Sequence, residues 1–186
     1  MARRENRYYP FLLTVLAALL LFPSLPSAGQ GPGDLRTHYA AIHYPDDRLL
    51  AEFAGKITRD GRLSAAADRP RVLAAVKRDV DRIVFRVRTL LDMYPLNFRF
   101  AIRIYPSYVK LGEAWREAGK FGPSPVAFYS HSNGTVHVTV ERLSAGILAH
   151  EIAHAVINSY FDSPPPAKAQ EILSRYVDTH LWDALP

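Results

Sequence analysis

Cysteine is absent from all 186 residues. Without a thiol there is no disulfide framework, no thiolate nucleophile, no thiolate metal site and no lipid-modified cysteine at a processing site. A long apolar run is missing too. The longest, Phe11 to Phe22, is broken only by Thr14 and falls well short of the roughly 20 residues that span a bilayer as a helix. No internal repeat is visible. The formal net charge is +5, spread over interspersed residues of both signs with no long basic block. Nucleic-acid binding therefore has no support.

What the first residues do hold is Arg3, Arg4 and Arg7 ahead of that apolar run, and Pro23, Ser24, Pro26, Ser27, Ala28 and Gly29 behind it. A basic start, a short apolar stretch and a small-residue boundary make a secretory signal peptide. Residues 1–29 are expected to be removed, with cleavage after Ala28 or Gly29; an uncleaved anchor is the alternative. Residues 30–36 read as a Gly/Pro linker, and 37–186 as one domain with enough chain for a packed core. Such a protein is exported, to the periplasm or the extracellular space. Its many Arg and Ala and few Lys suit a bacterium with GC-rich DNA.

Periodicity orders the elements. Thr37 to Tyr44 alternates and ends at Pro45-Asp46-Asp47, as a strand entering a turn does. Arg48 to Ile57 predicts a short helix. Arg71 to Met93 carries Val72, Val76, Val80, Ile83, Val84 and Val87 at three- and four-residue spacing, an amphipathic helix that Pro95 ends. Phe98 to Tyr105 alternates as a strand, and a short helix follows through Trp115. Val126 to Ser130 and Thr135 to Val140 form a hairpin, because Asn133-Gly134 tolerates positive φ. The sequon Asn133-Gly134-Thr135 is explained by that turn. Helices over Leu143 to Tyr160 and Ala167 to Trp182 complete the chain, with Ser163-Pro164-Pro165-Pro166 between them. The expected class is α+β: a small mixed or antiparallel sheet with an edge hairpin, then two helices.

The segment that carries chemistry is His150-Glu151-Ile152-Ala153-His154, an HExxH motif on the first of those helices. Histidines four apart share a helical face, so both imidazoles reach one metal. Glu151, next to the first, is placed to take a proton from water without ligating. Zinc brings the pKa of a bound water towards about 7, which lets a carboxylate complete the deprotonation. Ile147, Leu148, Ile152, Val156 and Ile157 supply an apolar surface on the same helix. An ordinary helix with hydrogen-bonded histidines is the competing reading.

A catalytic zinc needs a third protein ligand and an open position. The metzincin spacing would place glycine and histidine where Ile157 and Tyr160 stand, which excludes that class. Glu171 lies on the next helix in a polar strip with Ser174, Arg175 and Asp178, opposite Ile172, Leu173, Tyr176 and Val177. If the helices pack antiparallel, Glu171 faces the histidines, and Asp178 could accept a hydrogen bond from a ligand imidazole. An i,i+4 ion pair between Glu171 and Arg175 is the alternative role.

The segment Gly146–Asp178, GILAHEIAHAVI followed by AKAQEILSRYVD, resembles the gluzincin metallopeptidases, the thermolysin-like group whose second site helix often reads E-G-L-A-E-Y-L-E. Glu171, Leu173, Tyr176 and, by charge, Asp178 match it, whereas Ile172 and Arg175 stand where glycine and an acidic residue are usual. The resemblance implies a zincin-like, peptidase-MA-like domain in minimal form. It implies one zinc held by His150, His154 and Glu171, with Glu151 as general base. It also implies a polypeptide substrate lying along Val136 to Val140 as an exposed edge strand. A minimal form is expected to do without the C-terminal lobe that supplies oxyanion-stabilising groups in larger gluzincins.

His131 and His137 flank the hairpin and read as surface residues, and Tyr176 as core. Tyr160 is a weak candidate for the site, and His38, His43 and His180 have no evident partner. Two functions compete: an exported zinc peptidase, and a catalytically inactive zinc-containing binding module of the cell envelope. Glu151 favours the first, because a purely structural metal site gives it no purpose.

Overall fold

The computed structural model describes residues 33–59 and 67–185. The expected signal peptide and its cleavage point lie outside the described residues. Among the described residues five strands and five α-helices follow one another in an α+β order: β1 (Gly33–Arg36), β2 (Ala40–Tyr44), α1 (Asp47–Ile57), α2 (Arg69–Leu91), β3 (Phe100–Tyr105), α3 (Tyr108–Glu117), β4 (Ala127–Ser130), β5 (Thr135–Thr139), α4 (Ala145–Tyr160) and α5 (Ala167–His180). Asp46, Asp68, Ser107 and Ser144 start α1 to α4, each side chain accepting from an amide three residues on. That satisfies an amide otherwise left over at a helix start. α2 stops at Asp92, held in the left-handed region with φ 51°, three residues before Pro95.

One sheet holds the strands in the order β1-β2-β3-β5-β4. The outer pairs β1–β2 and β4–β5 are antiparallel, and β2–β3 and β3–β5 are parallel. The sheet is therefore mixed. β1 falls within the segment expected to be linker, and its Leu35 is buried. Alternation sorts the two faces. Ile42, Ile102, Ile104, Val136 and Val138 join α1, α2 and α4 in the main core. On the other face α3 packs Leu111 and Ala114 against Phe128, with Tyr105 and Trp115 beside them.

The topology corrects the expected edge. β5, which contains most of Val136 to Val140, lies between β3 and β4 with every residue buried. The strand that ends the sheet on this side is β4. The Asn-Gly signal is local: it specifies a hairpin, here closed through Gly134 at φ 61°, but not which arm joins the rest of the sheet.

His137 is likewise not a surface residue. It is 7% exposed, stacked on Phe128 at 4.4 Å and bonded through Nδ1 to the Tyr105 hydroxyl at 2.9 Å. Burial, with the nearby Arg103 charge, lowers its pKa to about 4. The unfolded chain takes up that proton near pH 6.5 and the folded chain only near 4, so stability falls as pH drops through this window. By pH 4 the loss is about 3 kcal/mol. Urea unfolding at pH 7 and pH 4 should show it as a difference between the wild type and His137→Asn, because Glu151, raised to about 7, changes stability with the opposite sign over the same window in both. His137→Asn should lack that increment, and an equal acid loss in the variant would contradict it.

Candidate metal centre

α4 presents His150 and His154 one turn apart on one face, their rings 5.1 Å apart. α5 returns antiparallel to α4, so that Asp178 lies beside Gly146, Glu171 beside the histidines and Gln170 beside Asn158. Gly146 permits the close approach: a Cβ there would stand 2.1 Å from Asp178 Oδ1. His150 Nε2 is 3.5 Å from Glu171 Oε2, and His154 Nε2 is 3.3 Å from Oε1. One donor atom from each of the three residues falls within 4.8 Å of the others.

These separations fit a metal. Two ligand atoms about 2.0–2.1 Å from a tetrahedral zinc stand about 3.3 Å apart. Two imidazoles and one carboxylate are also a donor set that zinc accepts while keeping a position open. Burial, and next the neighbouring His154, lower the His150 pKa, so the neutral form that can ligate is favoured. Glu171 is turned to the histidines, and no ion pair joins it to Arg175 among the described residues.

A supporting layer comes from residues that the spacing argument does not reach. Gln170 Nε2 donates to the Pro165 carbonyl at 2.8 Å, which turns Oε1 towards His154 Nδ1 at 3.4 Å. Nδ1 therefore donates, and Nε2 keeps its lone pair on the Glu171 side. Asn158 Nδ2 donates to the same Oε1 at 3.0 Å and to the His154 carbonyl at 2.7 Å. Asp178 makes no hydrogen bond to either imidazole and acts on His150 only as a nearby charge. The signal was in the sequence: Gln170 precedes the third candidate ligand, and Asn158 follows His154 by one turn. Gln170→Ala should weaken zinc binding about 10–100-fold with unchanged stoichiometry. Competition titration with a chelator measures this, and wild-type affinity would remove Gln170 from the site.

Glu151 lies in the same cleft, outside the ligand set. Burial raises its pKa to about 7. The Tyr129 backbone amide opposes this, the Glu171 charge adds to it, and Lys120 opposes it more weakly. The cleft holds about 500 Å³ and wraps round the edge strand: Ala127 and Tyr129 border it from one sheet face, Phe128 and Trp115 from the other. Lys120 and His131 border it as well.

No family model, curated protein or solved structure matches this chain. The geometry is what bears on its function.

The remaining candidates are not brought to the metal centre. Tyr176 is not core: it is 46% exposed and stacks on His180 at 4.3 Å. α5 buries only Ser174 and Val177, so Ile172 and Tyr176 face outward. Tyr160 is exposed and packs on Phe161. His43 pairs with Asp34 at 2.5 Å, and the His38 amide donates to Asp81.

Proposed function

We propose that this chain is a zinc-dependent peptidase with a zincin-like domain, a minimal relative of the gluzincins, exported by its first 29 residues. The observation that carries this reading is Glu151, a carboxylate left out of the His150, His154 and Glu171 group yet held in the same cleft. A purely structural metal site has no use for a second, free acid.

His150, His154 and Glu171 would hold one zinc. When bound, the metal acts as a Lewis acid towards a carbonyl and lowers the pKa of water. Glu151 accepts the proton of the attacking water and returns it to the departing amine, one residue acting as base and then acid. The free edge of β4 gives an extended polypeptide a row of backbone donors and acceptors to pair with. Lys120 and Trp115 then flank the bound segment.

Incubation of the zinc-loaded chain with a broad peptide library tests the activity. Cleavage should stop with a chelator and return with added zinc. Cleavage that survives the chelator would contradict the proposal, as would none at all from a chain carrying one zinc.

A further inference from the structure

The loop from α3 to β4 borders the metal cleft at both of its ends, through Trp115 and Lys120 on one side and Pro125 on the other. It is tied at two points. The Lys120 amide donates to the Trp115 carbonyl at 3.2 Å, and the Tyr108 hydroxyl donates to the Ser124 carbonyl. Between these ties no hydrogen bond holds Phe121, Gly122 or Pro123 among the described residues. Gly119 and Gly122 stand in the left-handed region, at φ 72° and 83°, and a Cβ added at either would meet nothing within 4 Å. The tip is held only by its ends, and it carries Phe121 in solvent, 94% exposed.

A lone exposed phenylalanine is ordinary on a protein surface. The place of this one beside the open strand edge is not. Side chains alternate along a strand: Ala127 and Tyr129 face the main core, whereas Phe128 faces α3, its ring 5.1 Å from that of Trp115. A peptide paired with the open edge of β4 repeats this alternation. Its residue opposite Phe128 turns a side chain to the α3 face, while the two neighbours turn theirs to the metal side. Trp115 walls that position. Phe121 is one residue beyond Lys120, whose ammonium lies 5.1 Å from the Trp115 ring centroid, so the tip can reach over the same place.

We propose that Phe121 is a specificity-determining residue, folding over an apolar side chain of a peptide bound along β4 and closing it against Trp115. This rests on the peptidase reading and adds the substrate class: extended segments that carry a large apolar residue.

Fluorescence anisotropy tests it with alanine-rich decapeptides that carry one central Phe, Leu, Gly or Asp. They are titrated against the zinc-loaded Glu151→Gln chain, which is expected to bind without cleaving. The Phe and Leu peptides should bind about 10–100-fold more tightly than the Gly peptide, the range for burying a large apolar side chain. Phe121 is exposed, so Phe121→Ala added to that chain should fold and keep its zinc while losing most of the preference; Phe121→Leu should restore part of it. Equal binding of the Phe and Gly peptides, a preference that survives Phe121→Ala, or no binding at all would overturn the proposal. Tightest binding of the Asp peptide would overturn it too, by giving the position to the Lys120 ammonium. Cleavage by the wild type separates this from the peptidase reading. A wild type with the Phe121-dependent preference that cleaves nothing refutes hydrolysis and leaves the subsite standing. One that cleaves without the preference keeps hydrolysis and refutes the subsite.

Discussion

Glu151→Gln should keep one zinc per chain and lose peptide hydrolysis by about 10²–10⁴-fold, the range for removing a general base. The amide keeps the shape and the polar contacts of the carboxylate but cannot carry the proton from water to the leaving amine. That factor corresponds to about 3–5 kcal/mol of transition-state stabilisation. Binding of uncleaved peptide along β4 should be unchanged, since it depends on backbone pairing. kcat should therefore fall with little change in KM. Assays at equal zinc loading are the check; equal turnover by the two proteins would show that Glu151 has no part in the chemistry.

The second large effect is on the metal. His150→Ala and His154→Ala would each remove one of the three proposed ligands from a site built on the spacing of α4. Zinc retained after gel filtration should fall from one per chain towards zero in both. Glu171→Ala should also lose affinity, but less completely. Its side chain is 55% exposed, against 21% and 14% for the two histidines, so water can replace the carboxylate more easily than an imidazole fixed on a buried helix. Zinc content that stays at one in both histidine variants would place the metal elsewhere.

The contrast between what the sequence revealed and what it hid follows from the range of each interaction. His150 and His154 were legible because helical periodicity alone puts residues four apart on one face. Glu171 was legible because a polar strip on the next helix, joined by a short proline-rich link, has one plausible neighbour. Strand order was not legible. The alternation of Thr135 to Val140 marks a strand with two distinct faces, yet says nothing of which chains flank it, and β3 takes the side expected to be free. His137 was misread for a related reason: a polar residue between Val136 and Val138 suggests a wet face, but Tyr105, Phe128 and α3 cover it. β1 was hidden because Gly33–Arg36 is too short to show a pattern and is defined only by pairing with β2. Tyr176 failed because the apolar residues of α5 outnumber the positions that its packing against α4 can bury.

Zinc-edge X-ray absorption of the wild-type chain, loaded with one equivalent of zinc, tests the central claim most directly. The account predicts a four-coordinate shell of nitrogen and oxygen at about 2.0–2.1 Å, with the outer-shell scattering of two imidazoles. A six-coordinate oxygen shell without imidazole scattering would contradict it.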